Sequence, residues 1–402
     1  MNNNFNLKLE SAKKEVVDPK DEIANHSSSK KPDNSVKKKL MKLMFIIVIV
    51  VLVVILTLFI VSLIMGRKQS YSSVETTMKN AAIKYYSDHK NRLPAASNSN
   101  EGVEVTTLVS GEYMKPLSEY LGENTKCTGK VTVERNGENF AYTPYLDCGN
   151  SYKTIELVKQ VTNESNIVVT GDGLYNINNT YIFRGENVKN YLKLDDDLWR
   201  IVKITSDNKI YLIKDEFRTN NLTVPWDDRY NTIAGYNAGI NDYKVSRLRE
   251  EVIKKYNSNA ENGKILSKTA RQKLTKFDLC IGSRDPNYVS NDNSAECSTV
   301  LKNQKVGLLT LSDYLIASID SECISPLSSS CQNYNYLKSN SAWWVTTANS
   351  ENTYQVYRIE SNGVVKKTYA LSYAAIRPVV VLNERTMYAT GTGTKSNPYK
   401  IK

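Results

Sequence analysis

The chain has 402 residues, a formal net charge of +11 and only two histidines, His26 and His89. Its basic excess is dispersed and lacks the clustered Arg, Lys and aromatic side chains of a nucleic-acid interface, so we expect no nucleic-acid partner. Beyond residue 89 no imidazole is available, which excludes a Ser-His-Asp or Cys-His catalytic arrangement and a His-based zinc site there. Catalysis by carboxylate, Lys or Cys side chains is not excluded.

The first strong pattern is the apolar run from Met44 to Met65, in which Thr57 and Ser62 are the only polar residues. As a helix this run would reach about 33 Å, enough to cross the lipid bilayer, whose hydrocarbon core is about 30 Å thick. Residues 1–43 are rich in Lys, Asn and Ser and are predicted to form a disordered tail. Residues 30–43 carry six Lys, whereas the first fifteen residues after the run hold only Arg67, Lys68 and Lys79. The positive-inside rule therefore predicts a cytoplasmic N-terminus and an extracellular C-terminal domain.

A cleaved signal peptide is an alternative interpretation of the same run. The run is longer than a signal core of about 7–15 residues, and Ile64-Met65-Gly66-Arg67 offers no small-x-small cleavage site. We therefore expect a permanent single-pass anchor in the cell membrane.

Helical spacing continues beyond the apolar run. Up to Pro94, apolar residues recur every three or four positions, namely Val74, Met78, Ala81, Ala82, Tyr85 and Tyr86. The sequence therefore predicts that the membrane helix extends as a helical stalk over residues 66–94.

Residues 95–154 are predicted to form a small β module. Residues 130–134 and 140–143 have the composition of two short strands, and Asn136-Gly137 between them is typical of a tight hairpin turn. The module would follow the stalk directly.

The six cysteines all follow the apolar run, and an even number in an oxidising compartment indicates disulfides. Six cysteines allow fifteen pairings, so the sequence does not fix the connectivity. A hairpin turn that pairs Arg135 with Glu138 would bring Cys127 near residue 146, one diagonal step from Cys148, which makes a bridge there reasonable. Proximity favours three pairs: Cys127 with Cys148, Cys280 with Cys297, and Cys323 with Cys331.

The stretches Ala81–Tyr86, Leu93-Pro94 and Leu108–Tyr113, placed between a long helix and a disulfide-closed hairpin, carry a resemblance to type IV pilins and pseudopilins. The resemblance covers residues 44 to about 154. A prepilin has a Gly at its cleavage point and a Glu five residues later, and Met44–Met65 contains neither. The resemblance therefore implies a pilin-like module on a permanently anchored protein.

The distal segment, residues 170–402, is long enough to bury its own core. Strand-like runs are residues 173–175, 181–184, 198–204, 209–213, 306–311, 342–347, 354–359 and 375–382. Helical patterns begin after Ser246 and at Ser312, and Asn362-Gly363 is predicted to be a turn between two strands. Many short strands with few helices predict an α+β domain with mostly antiparallel strands.

Six distal motifs occur in a familiar order: Leu198–Val202, Ser246–Arg249, Val306–Ser312, Trp343–Val345, Gly363-Val364 and Ile376–Pro378. This order is similar to that of an uncharacterised domain of bacterial surface proteins, which distantly resembles the formylglycine-generating-enzyme and C-type-lectin-like folds. The resemblance covers most of residues 173–402. It implies a C-type-lectin-like fold, a bacterial source and a surface location, and it implies no particular activity.

Acidic residues cluster at three places, Asp195–Asp197, Asp227-Asp228 and residues 285–296. Solvated turns are expected at each cluster. Residues 285–296 suit calcium best, but the order of ligands in an EF-hand is absent.

Three tryptophans, Trp226, Trp343 and Trp344, are candidate ligand contacts, because Trp can stack on sugars or anchor a protein partner. Consecutive residues on a strand point to opposite faces, so at least one of Trp343 and Trp344 is expected in the core. Cys323 and Cys331 are expected to form a structural disulfide and not a catalytic pair. We assign no catalytic residue, no cofactor and no metal ligand.

These features predict a membrane-anchored bacterial surface protein whose extracellular domain binds envelope glycan or a protein partner. A pilin-like subunit of a secretion or pilus-type assembly is one alternative. An extracellular enzyme that uses carboxylates or the cysteine pair is another.

Overall fold

The computed structural model describes residues 34–64, 68–96, 100–123, 125–136, 138–215, 223–260, 264–290 and 292–402. The chain separates into two units, Met1–Gln69 and Ser70–Lys402. The helices are α1 Asn34–Ile64, α2 Tyr71–Asp88, α3 Val105–Ser110, α4 Leu117–Leu121, α5 Leu157–Val161, α6 Arg247–Asn257, α7 Lys268–Arg271 and α8 Leu311–Ala317.

The strands belong to four sheets within the described residues. They are β1 Asn100–Glu104, β2 Thr128–Asn136, β3 Asn139–Asp147, β4 Gly173–Ile177, β5 Thr180–Arg184, β6 Tyr191–Leu194, β7 Asp197–Ile204, β8 Ile210–Lys214, β9 Thr223–Pro225, β10 Leu274–Thr275, β11 Phe277–Cys280, β12 Ser283–Arg284, β13 Val300–Gln304, β14 Trp343–Asn349, β15 Gln355–Ile359, β16 Val365–Tyr369, β17 Tyr373–Ala375, β18 Val379–Leu382, β19 Tyr388–Thr390 and β20 Tyr399–Ile401.

In the first unit, α1 contains a stretch, Lys38–Thr57, that is long and apolar enough to cross a membrane. The helix begins at Asn34, so residues 34–43 are helical, and the prediction of a disordered tail is wrong for them. Their Lys and Leu residues are good helix formers, and the apolar helix that follows can propagate backwards through them. Residues 1–33 of the tail and Met65 of the predicted span lie outside the described residues.

The second unit begins with a new helix, so the predicted continuous stalk over residues 66–94 is wrong. Residues 68–70 are not helical, and Ser70 is the N-cap of α2, with its side chain accepting a hydrogen bond from the Ser73 amide at 3.2 Å. An extended N-cap residue starts a helix because it satisfies an amide that has no partner inside the helix. Residues 66 and 67 lie outside the described residues.

The small β module consists of α2 packed on the sheet β1-β2-β3, with a hydrophobic core of its own. The predicted hairpin is confirmed as β2 and β3, but its register differs from the expected one. Asn136 pairs with Asn139, so the two connecting residues are 137 and 138, and Gly137 lies outside the described residues. This shift of two positions makes Cys127 directly opposite Cys148 instead of diagonal to it.

All three expected disulfides are present: Cys127–Cys148, Cys280–Cys297 and Cys323–Cys331. They account for all six cysteines, so the chain has no free thiol.

The distal segment contains three sheets and a second, larger core. One sheet has the order β10-β18-β8-β7-β6-β20-β19, with β5 also pairing with β7 and β4 with β5. The second has the order β16-β15-β14-β17-β9, with β12 on β14, and β11 and β13 form a pair. Most pairs are antiparallel, and the parallel ones join β6 with β20, β12 with β14, and β14 with β17. The mixed α+β class with mainly antiparallel strands is therefore confirmed.

The predicted strand at residues 306–311 is wrong, because only Gly307 makes a bridge there, to Val379, and α8 begins at Leu311. Thr310 and Asp313 form a capping box at the start of α8, and this local arrangement starts the helix one residue before the predicted position. The predicted strand at residues 375–382 is divided into β17 and β18.

The small β module and the distal segment, predicted as domains 95–154 and 170–402, lie in one unit and each has its own hydrophobic core. A buried polar junction joins their two cores. Lys402 Nζ donates to both carboxylate oxygens of Glu75 at 2.7 Å, and Glu75 also accepts from Tyr152 at 2.8 Å and from Thr154. Glu75 is only 4% exposed, so this carboxylate fixes the junction through fully paired contacts.

Candidate binding surface

The three candidate tryptophans are all fully buried, so they belong to the core and present no surface to a ligand. Trp226 packs edge-to-face against Trp344 with 6.0 Å between ring centroids, and Trp344 Nε1 donates to the Val224 carbonyl at 2.8 Å. Trp343 packs against Tyr314 on the other side of β14. Their physical role is to support the sheet β16-β15-β14-β17-β9 and the loop that follows Trp226.

That loop, residues 227–241, is held by the fully buried carboxylate of Asp227. Asp227 accepts hydrogen bonds from three backbone amides, those of Arg229 at 3.0 Å, Ile240 at 3.1 Å and Arg247 at 3.2 Å. The Arg229 guanidinium binds it as well, with Nε 2.9 Å and Nη2 2.5 Å from Oδ2. A single side chain therefore joins both ends of the loop to the start of α6.

Burial opposes ionisation of Asp227, but the hydrogen bonds from Arg229 and from the backbone amides outweigh it and lower the pKa of this carboxyl. The Asp227-Asp228 cluster was expected to be a solvated turn, and for Asp227 that prediction is wrong. Its donors come partly from residues far along the chain, which neighbouring positions in the sequence do not reveal.

Two asparagines fix the rest of the loop to the sheet. Asn231 Nδ2 donates to the carbonyls of Gly239 at 2.8 Å and Thr353 at 3.1 Å. Asn241 Nδ2 lies within 3.0 Å of three carbonyl oxygens, those of Asn349, Asn352 and Gln355. Gly239 has φ +81°, and a Cβ there would collide with the Asp227 carbonyl, so the close approach of the two loop ends requires glycine.

This fixed loop and the β15–β16 hairpin present three tyrosines, Tyr236, Tyr354 and Tyr369, which we call the tyrosine surface. Tyr354 and Tyr369 stack with 5.8 Å between ring centroids and 12° between ring planes, and Tyr236 hydrogen-bonds to Tyr369. The exposed fractions of Tyr236 and Tyr369 are 48% and 44%. Exposed apolar side chains stand on the same two segments, Ile233 in the loop and Leu371 after β16. Partly exposed aromatic side chains that stack and hydrogen-bond to one another on a well-held loop are typical of binding surfaces.

Partial burial raises the pKa of Tyr236, and its neighbour Tyr369 raises it further. The Tyr236 phenol therefore stays protonated at neutral pH and can donate a hydrogen bond to a ligand as well as stack on it.

In the other two acidic clusters, Asp195, Asp196, Asp285 and Asp292 are exposed, which agrees with the predicted solvated turns. Asp195 accepts from the Ser267 amide and hydroxyl at 2.7 Å, and Asp197 pairs with Lys214 at 2.8 Å. Glu296 in the third cluster is fully buried, so the solvated turn predicted for residues 285–296 is wrong at this position. Residue 291 lies outside the described residues. Within the described part of the chain, no group of three His, Cys, Asp or Glu side chains is arranged to hold a metal ion.

Cys323 and Cys331 are disulfide-bonded and 3% and 1% exposed, respectively. An exchange reaction needs access of a thiolate to one of the two sulfurs, and burial restricts that access. The arrangement fits the structural role expected for this pair.

Comparison with protein-family models, with curated proteins and with solved structures found no match to this chain. Its function is therefore inferred from its own residues. The tyrosine surface was not predicted, since loop 227–241 and the β15–β16 hairpin lie far apart in the sequence. The excess of 26 Tyr over 7 Phe is the sequence signal that points to it, because exposed aromatic contacts favour Tyr.

Proposed function

We propose that this chain is a single-pass bacterial surface protein whose extracellular unit binds envelope glycan through the tyrosine surface. The observation that carries the proposal is loop 227–241, which the hydrogen bonds of Asp227, Asn231 and Asn241 hold in place. The loop presents Tyr236 beside the stacked Tyr354 and Tyr369 of the β15–β16 hairpin. A binding surface whose side chains are ordered in advance loses less conformational entropy when its ligand arrives. Two stacked tyrosines offer a flat face to a sugar ring, and the phenol hydroxyls can bind its hydroxyl groups.

Two observations support the proposed location. The stretch Lys38–Thr57 is long and apolar enough to span a bilayer, with Lys38, Lys39 and Lys42 near its start. Three disulfides indicate an oxidising compartment. On this proposal, the N-terminus is cytoplasmic and the Ser70–Lys402 unit is extracellular.

The topology is tested by introducing single cysteines on either side of the anchor. Val169 is 89% exposed, so Val169→Cys should react with a membrane-impermeant maleimide on intact cells. Ser28→Cys is the matched control and should react only after lysis. Labelling of Ser28→Cys on intact cells would contradict the proposed orientation, and loss of an N-terminal epitope tag from the mature protein would indicate a cleaved segment.

Glycan binding is tested by co-sedimentation of the detergent-solubilised full chain with purified peptidoglycan. We expect the double variant Tyr236→Ala/Tyr369→Ala to bind at least about tenfold more weakly, because loss of central aromatic contacts costs more than 1 kcal/mol at binding surfaces. The thermal midpoint should change little, since both side chains are about half exposed.

The control is Tyr288→Ala, which removes an exposed tyrosine outside the tyrosine surface and should leave retention unchanged. Equal retention of the double variant and the parent chain would show that another part of the molecule binds the polymer. If the parent chain is not retained, the surface serves a protein partner instead, and crosslinking in the membrane becomes the next experiment.

We further propose that the distal segment is C-type-lectin-like and that the small β module is pilin-like. Support for the pilin-like layout comes from α2, whose apolar face packs on an antiparallel sheet closed by Cys127–Cys148. This same observation keeps a subunit of a pilus-type or secretion assembly as the second candidate function. Retention of the complete N-terminal segment in the mature protein would argue against the function as a pilus-type subunit.

A further inference from the structure

A cleft of about 380 Å³ lies between the small β module and the distal segment. One wall consists of one face of α2, residues 72–79, and of residues 142–144 on β3. The other wall consists of residues 272–273, residues 383–387 and Lys402. The volume is within the range for small-molecule sites, and no lining residue belongs to the tyrosine surface. The cleft is therefore a second site, separate from that surface.

Basic side chains outnumber acidic ones in this cleft. The charged lining residues are Lys79, Lys273, Arg385, Lys402 and Glu75. Glu75 is only 4% exposed, and its carboxylate is already paired with Lys402 in the buried junction. Because Glu75 is the one carboxylate among the lining residues that the structure describes, the other three cations have no acidic side chain facing them across the cleft.

Lys79 is the cation with the most unused capacity. Its side chain is exposed, and among the described residues its ammonium forms no hydrogen bond and no ion pair. Lys79 follows Glu75 by four residues on α2, a spacing at which opposite charges commonly pair, but Glu75 binds Lys402 instead. An ammonium has three donors, so all three donors of Lys79 are available to a ligand.

The two cations on the opposite wall also keep donors. Lys273 Nζ donates to the main-chain oxygen of Lys402 at 2.9 Å, which uses one of its three donors. Arg385 Nη1 pairs with Glu134 Oε2 at 2.8 Å, and a guanidinium carries five donors in all. These contacts hold both side chains at the cleft without exhausting them.

The rest of the lining is mostly polar. Hydroxyl or carboxamide groups are provided by Ser72, Thr76, Thr143, Gln272, Asn383 and Thr386. Such groups bind the hydroxyl groups of a polyol or a sugar, whereas an acyl chain would leave them without hydrogen-bond partners. The walls therefore favour a hydroxyl-rich ligand.

We propose that this cleft binds the phosphate group of a polyol phosphate or a sugar phosphate. Lys79 reaches the phosphate from α2, and Lys273 and Arg385 reach it from the opposite wall. Phosphate oxygens point in several directions and can accept from both walls, whereas the two oxygens of a carboxylate lie in one plane. The same group is offered by a free polyol phosphate and by one unit of a polyol-phosphate polymer, and the experiment separates these two sources.

The test is calorimetric titration of the full chain, solubilised in an uncharged detergent, with three probes at up to about 10 mM. The probes are glycerol 3-phosphate, glucose 1-phosphate and poly(glycerol phosphate). We expect at least one of them to bind, and binding to weaken as the salt concentration rises. Tighter binding of the polymer per unit than of glycerol 3-phosphate would identify a polymer as the source, and the reverse would identify a free phosphate ester.

Glycerol, glucose and glycerate are the matched controls for the ligand. Glycerol and glucose lack the anion, and glycerate carries a carboxylate in place of the phosphate. Each should bind at least about tenfold more weakly than the best phosphate probe. Absence of binding by all three phosphate probes, or equal binding of glycerate, would overturn the proposal.

Lys79→Gln is the sharpest variant, because it removes an exposed charge that has no partner among the described residues. Affinity for the best probe should fall about fivefold to tenfold, and the thermal midpoint without ligand should stay unchanged. Lys79→Arg keeps the charge and should retain most of the affinity. Lys305→Gln is the matched control, since Lys305 is an exposed lysine outside the cleft lining, and it should change neither value.

Binding that Lys79→Gln leaves unchanged would place the phosphate contact elsewhere, for example on the lysines that precede the anchor, and would refute the assigned site. Equal losses in Lys79→Gln and Lys305→Gln would show an effect of total charge and would refute it as well. The double variant Tyr236→Ala/Tyr369→Ala should bind the phosphate probes like the parent chain. Failure of this proposal is therefore distinguishable from failure of glycan binding at the tyrosine surface.

Discussion

Arg284→Met is expected to reduce the free energy of unfolding of the Ser70–Lys402 unit by about 3–5 kcal/mol, because it leaves the charge of Glu296 buried without its counterion. Both side chains are fully buried, with Arg284 Nη1 3.5 Å from Glu296 Oε1. The Ser312 hydroxyl connects them, since it accepts from Arg284 Nη1 at 2.6 Å and donates to Glu296 Oε2 at 2.8 Å. Water cannot replace the lost partner without entering the core.

The measurement is urea unfolding of a Ser70–Lys402 fragment, which contains both cores and all three disulfides. Fluorescence reports on the distal core, where all four tryptophans are buried. Lys302→Met is the control, because its ion pair with Asp278 is 70% and 52% exposed and should contribute less than about 1 kcal/mol.

A double variant separates the ion pair from simple loss of packing. Glu296→Gln keeps an acceptor for Ser312 and removes the charge, so Arg284→Met/Glu296→Gln should recover part of the stability lost in Arg284→Met. Additive losses in the double variant would show that the two charges do not depend on each other, and the account of this network would then be wrong.

Features that depend on neighbouring residues were predictable from the sequence. The apolar run, the hairpin, the disulfide pairs and the strands around residues 198–213 follow from local composition and from short separations along the chain. The break before α2 also has a local cause, the N-cap Ser70, but the regular apolar spacing on both sides of it favoured one long helix.

The buried acids were not predictable in this way. Asp227 and Glu296 lie in polar, turn-like sequence, and the fold brings them donors from distant positions. Asp227 accepts from the amides of Ile240 and Arg247. Glu296 accepts from the Ser312 amide and the Thr347 hydroxyl. A charged side chain enters a core only when distant residues pair with it, and a single sequence does not show that pairing.

Asp227→Asn is expected to cost about 3 kcal/mol near pH 7 and to weaken binding at the tyrosine surface. Asparagine replaces one acceptor oxygen by a donor and removes the charge, so it cannot accept from the Arg229 guanidinium and the three backbone amides together. Loop 227–241 should then lose order, and Tyr236 with it. Faster hydrogen exchange of the Arg229 and Ile240 amides would report this directly, and unchanged exchange would show that Asn231 and Asn241 are sufficient to hold the loop.

The pH dependence gives an independent test of the same carboxylate. The pKa of Asp227 is lowered in the folded state, so its stabilising contribution is present above the ordinary Asp pKa of about 4 and is lost as the pH falls towards the folded value. Asp227→Asn lacks this titration, because asparagine carries no charge at any pH. The stability difference between the parent fragment and Asp227→Asn should therefore be largest near neutral pH and should shrink below about pH 4. A difference that stays constant over that range would mean that the cost comes from hydrogen-bond geometry and not from the charge of Asp227.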